Sequence, residues 1–205
     1  MTETARLGAG LLNRGVSRRS FMKYCASLAS FMALPGSLAP VIAQTLGKAR
    51  RQSVIWLSFQ ECTGCTESLT RSHAPAIENL IFNFVSLDYH HTLQAASGEA
   101  AEAARTTAMA LSSGKYLLVV DGSVPVNDRG VYSTIAGITN LQMLLTCAKD
   151  AAAIIALGTC ASFGGLPAAN PNPTGAVSVR ELMHRGIIAS KPLVNISGCP
   201  PLPIA

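Results

Sequence analysis

Aromatic side chains are scarce in this sequence, and their scarcity excludes one class of protein. They make up 5% of the 205 residues, so no basic stripe with interleaved aromatics is available to follow a nucleic-acid backbone. The net charge of +5 does not restore that interpretation. Residues 1–52 carry eight Lys and Arg against a single acid, whereas residues 53–205 carry eight against ten acids. The basicity therefore belongs to an N-terminal arm, and we expect no nucleic-acid partner.

An uninterrupted apolar run is also missing, although the arm contains a mildly apolar stretch. The stretch "YCASLASFMALPGSLAPVIAQ" is broken by Pro35 and Pro40 and diluted by serine, which excludes a stable membrane span. It follows "SRRSFMK", a twin-arginine pattern typical of the Tat export signal. A small residue, Ala43, supplies a plausible cleavage point. We predict a Tat signal peptide over 1–43 and a linker over 44–52; the alternative is a disordered basic tail or an amphipathic anchor.

The Tat assignment has a chemical consequence. The Tat translocon exports folded proteins, so it suits a protein whose cofactor is inserted in the cytoplasm before export. We therefore expect a periplasmic protein that carries a preassembled cofactor.

Beyond the arm, the chain alternates short β-rich runs with helical patterns, and 49% hydrophobic residues suffice to fill one sizeable core. Most of the β-rich runs are continuously apolar, as expected for a parallel sheet buried on both faces. The alternation predicts an α/β domain over 53–205: a doubly wound, flavodoxin-like parallel sheet with helices on both faces. A Gly/Pro/Asn loop over 164–176 is long enough to suggest a function. The predicted strands are 53–59, 80–89, 115–125, 152–158 and 191–198, and the predicted helices are 66–79, 98–114, 139–151 and 177–186.

We expect two of the six cysteines to bind no cofactor, whereas the other four each follow a predicted strand. Cys25 lies in the predicted signal, and Cys147 lies in a helical apolar pattern that favours a buried structural thiol. The other four follow predicted strands, and in a parallel sheet all strand carboxyl ends emerge at one edge, where ligands bind. Four thiols at one edge predict a single site. Its members are Cys62, Cys65, Cys160 and Cys199.

Three chemistries compete for these four thiols. A thioredoxin-like dithiol needs only a CxxC at a helix N-terminus, which leaves Cys160 and Cys199 unexplained. A structural zinc site takes four thiolates, usually from two close pairs on small knuckles, whereas only one pair is close here. A [4Fe–4S] cubane takes one thiolate per iron, and small residues such as Thr63 and Gly64 keep the bridge between the paired cysteines compact. The residues favour the cluster and leave the dithiol and the zinc site open.

Six motifs together are more specific than the CxxC alone. They are "ECTGCTES", "LDYH", "VVDGSVP", "GTCASFGG", "NPNPTGA" and "GCPP". In this order, behind a Tat signal, they resemble the small, electron-transferring subunit of periplasmic [NiFe] hydrogenases, from about residue 53 to the end. The resemblance implies a proximal [4Fe–4S] cluster in the flavodoxin-like domain, held by Cys62, Cys65, Cys160 and Cys199.

The resemblance also implies partners. A separate large subunit would hold the Ni–Fe centre and split H₂, so this chain would carry electrons within a heterodimeric oxidoreductase. It would pass them to a membrane or soluble acceptor, such as a cytochrome or quinone pathway. We therefore expect a periplasmic complex that associates with the membrane through its partners.

We also predict roles for four further side chains in or near these motifs. Glu61 matches a family glutamate near the subunit interface and is a candidate for a proton path; the alternative is an exposed or capping carboxylate. Glu67 is placed to cap the next helix. His90 and His91 are expected to form a polar strand end rather than to ligate metal. His91 stands where many relatives carry glutamate, which argues against a proton-path role at that position.

Two glycines predict an ordinary cubane. Oxygen-tolerant, membrane-bound relatives carry two further cysteines around the proximal cluster, at the positions that Gly64 and Gly165 occupy here. We therefore expect a plain [4Fe–4S] cluster that confers no special oxygen tolerance.

The chain stops short of the whole family pattern. Relatives continue past "GCPP" with a C-terminal domain that binds two further clusters, whereas nothing follows "GCPPLPIA" here, and Leu202 replaces the usual Asn. We expect the chain to be a fragment without that domain. A related cluster-bearing subunit of quinone oxidoreductases shares the fold, but it typically pairs its cysteines adjacently and lacks a Tat signal, so it is the alternative within the same fold.

Overall fold

The computed structural model describes residues 17–48 and 51–203. The chain forms two compact units: one is the part up to Arg51 together with Asn79–Ser86, and the other is Gln52–Glu78 with the part from Leu87 onward. The first sixteen residues of the predicted signal peptide lie outside the described residues. Within the described part, no helix is long and apolar enough to cross a membrane.

The described part of the N-terminal arm, residues 17–48, contains two α-helices. Helix α1 spans Arg18–Phe31, and helix α2 spans Ala39–Lys48. α1 begins where the Ser17 hydroxyl accepts the N–H of Ser20 at 3.1 Å, which satisfies one of the free amides of the first turn. Cys25 is fully buried. The predicted cleavage point lies inside α2.

A five-stranded parallel sheet forms the centre of the fold. Its five strands are β1 Gln52–Ser58, β2 Val85–His90, β3 Leu117–Asp121, β7 Ala153–Leu157 and β9 Leu193–Ile196. Four short strands form two separate pairs: β4 Val124–Pro125 with β8 Ala176–Val177, and β5 Thr134–Ile135 with β6 Ile138–Thr139. The order in the main sheet is β2-β1-β3-β7-β9, which is the flavodoxin-like order of five parallel strands. This confirms the predicted fold class.

In the part of the chain that the structure describes, six further α-helices lie between these strands. They are α3 Gly64–Thr70, α4 Ile77–Asn79, α5 Gly98–Leu111, α6 Asn140–Lys149, α7 Gly158–Phe163 and α8 Val179–His184. Two of them begin at side-chain caps of the expected type: the Thr139 hydroxyl accepts an N–H of α6, and the Ser178 hydroxyl accepts an N–H of α8.

The register of the sheet brings the carboxyl ends of its central strands level. Val54 of β1 pairs with Leu117 of β3, and the pairing continues to Ser58 and Asp121. β7 follows the same register, since Leu157 pairs with Asp121. The apolar runs of β1 and β3 are buried almost throughout, as expected at the centre of a parallel sheet. The loops that leave these strands therefore meet at one edge.

One predicted strand is wrong in its first half. The run predicted as a strand over 80–89 begins with a π-helical turn, Leu80–Phe84, and becomes extended only at β2. The Arg51 guanidinium donates to the Phe82 carbonyl at 3.0 Å, so a side chain rather than a neighbouring strand satisfies this backbone group. A short apolar run is compatible with either a strand or a helical turn, and periodicity does not separate the two.

One predicted helix is interrupted. The helix predicted over 66–79 consists of two pieces, α3 and the short α4. Pro75 lies between them; it has no N–H, and its ring disfavours the helical conformation of the residue before it. The predicted strand over 115–125 likewise divides into β3 and β4, whereas the remaining predicted elements agree with the structure within a few residues.

An ion pair within α5 joins a buried arginine to a partly exposed glutamate. Arg105 is 5% exposed and donates to the Glu102 carboxylate from Nη2 at 2.7 Å and from Nε at 3.0 Å. Its Nη1 lies 3.4 Å from the sulfur of Cys147. The Tyr89 hydroxyl donates to the same carboxylate at 2.6 Å. Cys147 is fully buried, as predicted, and belongs to this network rather than to the candidate site.

Replacing Arg105 with alanine should lower the free energy of unfolding by about 2 kcal/mol, because the partly buried Glu102 carboxylate loses a charged donor and the buried stem of Arg105 loses its packing. The matched control is Arg185→Ala, which breaks another helical Arg–Glu pair, to Glu181 at 2.7 Å. Those side chains are 45% and 42% exposed, so the control should cost less than about 1 kcal/mol. Urea unfolding measures both variants, and equal losses would contradict the importance of burial here.

Candidate metal centre

All four cysteines of the predicted site line one small cavity at the carboxyl edge of the sheet. Each is a free thiol. Cys62 and Cys65 follow β1, Cys160 lies in α7 directly after β7, and Cys199 follows β9. Three loops that are distant in sequence therefore contribute to one site.

A tight turn presents the first cysteine pair. Thr63 adopts a φ of 66° at the start of α3, a conformation that β-branched residues rarely take. The Glu61 carboxylate accepts the N–H of Thr63 and so stabilises the turn. Burial raises the pKa of Glu61, and a hydrogen bond from the Thr63 hydroxyl opposes the increase. Glu61 also borders the cavity, while Cys62 is exposed and Cys65 is partly buried in the first turn of α3.

The prediction that Glu67 caps the helix is wrong. Its carboxylate binds Arg71 one turn later, with 2.8 Å between Oε1 and Nη2, and both side chains are exposed. An ion pair between positions i and i+4 occupies the carboxylate on the outer face of the helix. The carboxylate that stabilises the start of α3 is that of Glu61 instead.

Hydrogen bonds connect the segments of the two single cysteines. The N–H of Thr159 donates to the Gly198 carbonyl at 2.8 Å, and the N–H of Gly198 donates to the Thr159 hydroxyl at 3.3 Å. These residues directly precede Cys160 and Cys199. The bonds therefore hold the two thiols in a defined relation to each other.

Glycines lie where any side chain would collide with a cysteine sulfur. A β-carbon at Gly158 would lie 2.4 Å from the sulfur of Cys65, and one at Gly165 would lie 2.5 Å from the sulfur of Cys160. Only glycine lets the backbone approach the sulfurs this closely. A soft donor set of four thiols in such a cradle fits a [4Fe–4S] cluster, which takes one thiolate per iron.

Burial and nearby negative charges oppose ionisation of two of these thiols, Cys65 and Cys160. Burial raises the pKa of Cys65 most, and the charges of Asp121, Cys160 and Glu61 raise it further. Burial likewise raises the pKa of Cys160, which a backbone N–H from Leu166 partly offsets. Metal ligation requires thiolates, and a bound cationic centre supplies the charge that deprotonates them. The environment therefore suits thiols that ionise when metal binds.

Asp121 borders the cavity without having been predicted from the sequence. It ends β3 and is fully buried; burial, followed by the negative charge of Glu61, raises the pKa of its carboxyl group to about 7. The Cys65 thiol and the Trp56 indole N–H face the carboxyl group without a conventional hydrogen bond to it. The strand-end argument that selected the cysteines applies equally to Asp121, which follows the apolar run of β3 at the same edge.

The two histidines at the end of β2 bind backbone amides. Nδ1 of His90 accepts the N–H groups of Thr92 at 3.1 Å and Leu93 at 3.3 Å. Nδ1 of His91 accepts the N–H of Ser58 at 3.0 Å. Neither histidine is among the residues that line the cysteine cavity. Their contacts agree with the predicted polar strand end.

His90 should make the protein sensitive to acid. It is fully buried, and burial followed by the charge of His91 lowers its pKa from 6.5 to about 4. Between these values the unfolded chain binds a proton at His90 that the folded chain does not. The contribution of neutral His90 to the free energy of unfolding is therefore fully present above pH 6.5 and is lost as the pH decreases towards 4. The loss should reach about 2 kcal/mol at pH 5. Other groups, including Asp121 and His91, also titrate in this range and contribute to every variant. Between pH 7.5 and 5, urea unfolding should therefore show a change in stability that is about 2 kcal/mol more unfavourable in the wild type and in an exposed control, His73→Gln, than in His90→Gln; the same pH dependence in all three would contradict it.

Comparison with known proteins connects this site to one family. The family model described as "NADH ubiquinone oxidoreductase, 20 Kd subunit" matches residues 62–205. The hydrogenase-2 small chain of Escherichia coli K12 is 45% identical over 191 residues, which is 93% of this chain and 50% of that one. The periplasmic [NiFe] hydrogenase small subunit 1 of Nitratidesulfovibrio vulgaris is 45% identical over 194 residues, covering 94% and 60%.

A solved structure gives the same result. A reduced, active form of the Ni-Fe-Se hydrogenase from Desulfomicrobium baculatum matches with a TM-score of 0.72 and 35% identity, over 75% of this chain and 58% of that chain. The chain spans 50% to 60% of the length of the two curated relatives. The comparisons confirm the resemblance that the motifs predicted. The chain belongs to the family of the 20 Kd subunit of NADH ubiquinone oxidoreductase, and its relatives in that family include the small subunits of [NiFe] hydrogenases.

Proposed function

We propose that this chain is the electron-transferring small subunit of a [NiFe] hydrogenase. Its site would hold a proximal [4Fe–4S] cluster on Cys62, Cys65, Cys160 and Cys199. The observation that carries the proposal is the convergence of four free thiols from three separate loops on one cavity. The bound cluster supplies a one-electron carrier, and the protein holds, orients and partly shields it.

The partners follow from the same proposal. A large subunit with a Ni–Fe centre would split H₂ and deliver electrons to the cluster, and a cytochrome or quinone pathway would receive them. Glu61 borders the cavity beside Cys62 and is only partly exposed. It is therefore our candidate for carrying protons between the partner subunit and solvent, although its hydrogen bond to Thr63 also gives it a structural role.

Export by the Tat pathway is part of the proposal. The twin-arginine pattern precedes the apolar stretch of the arm, and one relative is a periplasmic subunit. We propose that residues 1–43 act as the signal, that 44–52 link it to the domain over 53–205, and that the assembled protein works in the periplasm beside the membrane.

The donor set favours the cluster over a single zinc ion, because only one of its cysteine pairs is close in sequence and the other two thiols come from separate segments. Zinc needs four ligands at about 2.3 Å from one point, whereas a cubane spreads its thiolates over four irons. A dithiol would use only Cys62 and Cys65 and would give no reason for the other two thiols to share the cavity.

The cluster should undergo one redox step. A β-carbon at Gly64 would lie 3.2 Å from the sulfur of Cys62, and one at Gly165 would lie 2.5 Å from the sulfur of Cys160. An extra cysteine at either position would thus bring sulfur against the cluster, and neither position has one. An EPR-monitored redox titration should therefore show a single one-electron couple, and a second oxidation at high potential would contradict a plain cubane.

Reduction by H₂ tests the proposed function. The full chain, assembled with its large subunit, should lose visible absorption and gain the EPR signal of a reduced [4Fe–4S] cluster when H₂ replaces argon. A cluster that dithionite reduces but H₂ does not would contradict a role in hydrogen oxidation, and would favour the quinone-oxidoreductase alternative.

A further inference from the structure

Ser68 connects two of the cysteine segments in an unusual way. It lies in α3, one turn after Cys65, and is 9% exposed. Its hydroxyl donates to the carbonyl of Pro201 at 2.6 Å, across 133 positions of sequence. Serine and threonine hydroxyls inside helices commonly bond to a carbonyl of the preceding turn, as Thr70 does here with Glu67 at 2.7 Å. Ser68 reaches a different loop instead.

The loop that Ser68 reaches has few donors of its own. Pro200 and Pro201 follow Cys199, and proline has no backbone N–H. The loop therefore has no amide donor at these two positions to fix it, and the carbonyl of the buried Pro201 takes its hydrogen bond from a side chain instead. Ser68 provides that donor from the buried side of α3.

Cys199 consequently lies between two anchors. On the upstream side, Gly198 exchanges hydrogen bonds with Thr159. On the downstream side, the Pro201 carbonyl accepts from Ser68. Cys199 itself is exposed, so packing around its side chain does little to fix it.

We propose that Ser68 is a positioning residue for the metal centre, which holds the segment of Cys199 against the helix that carries Cys65. The inference rests on the proposed cluster. Without the hydroxyl, the upstream anchor remains, but the Cys199 thiolate gains freedom to move away from its iron. Because Cys199 is exposed, a loosened thiolate would open the bound group to solvent and to a competing ligand at this position.

Iron release measures this role directly. In the full chain with its cluster loaded under anaerobic conditions, Ser68→Ala should lose iron to a ferrous chelator about tenfold faster than the wild type. Its EPR spectrum in the reduced state should also broaden, because the fourth thiolate samples several orientations. Ser68→Thr keeps a hydroxyl and should restore slow release.

Ser178→Ala is the matched control. Ser178 is 8% exposed and also forms one hydrogen bond, accepting the N–H of Glu181 at 3.1 Å, but it lies at the start of α8 away from the cavity. It should lower the unfolding temperature without changing iron release or the EPR spectrum. Iron release from Ser68→Ala at the wild-type rate would overturn the inference alone, as would Ser68→Thr releasing iron as fast as Ser68→Ala. A wild-type chain that binds no iron would overturn the proposed function together with it.

Discussion

Replacing Cys160 with alanine should abolish assembly of the four-iron cluster while leaving the sheet folded. Cys160 lies in the short helix α7, which alanine suits well, so the backbone should persist. The remaining three thiols cannot supply one thiolate to each iron. We expect iron content to fall to a small fraction of the wild-type value and the broad visible absorption to disappear.

Cys147→Ala is the control for this experiment. Cys147 is also a free thiol, and it is fully buried, but it lies in the core against Arg105. Its loss should cost about 1 to 2 kcal/mol of stability and leave the iron content unchanged. Equal iron contents in the two variants would show that Cys160 is not a ligand.

Replacing Gly158 with alanine should both destabilise the protein and block cluster assembly. Gly158 has a φ of 82°, where a β-carbon costs about 1 to 2 kcal/mol. That β-carbon would also lie 2.4 Å from the sulfur of Cys65, and such overpacking adds about 1 to 3 kcal/mol. We expect a total loss of about 4 kcal/mol and displacement of the Cys65 thiol from the site.

Gly114→Ala separates the two effects. Gly114 has a φ of 71°, but a β-carbon there would meet no atom within 4 Å. This variant should pay only the backbone cost of about 1 to 2 kcal/mol and should load iron normally. Denaturant unfolding gives the stabilities, and iron analysis gives the occupancy. If Gly158→Ala matched Gly114→Ala in both, the close approach to Cys65 would have no consequence.

The site could be predicted from sequence because its geometry follows from topology. Continuous apolar runs indicate a parallel sheet, and a parallel sheet places every strand carboxyl end at one edge. Cys160 and Cys199 could thus be joined to the CxxC pair without any knowledge of contacts. Asp121 follows from the same rule, and was missed because the rule was applied to thiols alone.

Other features depend on contacts that the sequence pattern does not carry. The side chain of Arg51 donates a hydrogen bond to the π-helical turn at Leu80–Phe84. An apolar run in the sequence gives no indication of a hydrogen-bond donor so far away along the chain. Glu67 satisfies the sequence pattern of a cap but binds Arg71 instead. The bond from Ser68 to Pro201 joins residues 133 positions apart. In contrast, the break of the helix predicted over 66–79 was predictable from Pro75 alone.

The central claim is that four thiols hold one iron–sulfur cluster, and metal analysis tests it most directly. The wild-type chain, purified without oxygen, should contain four irons and four acid-labile sulfides per chain and absorb broadly in the visible range. A colourless chain with one zinc, or a metal-free chain with a Cys62–Cys65 disulfide, would contradict the account.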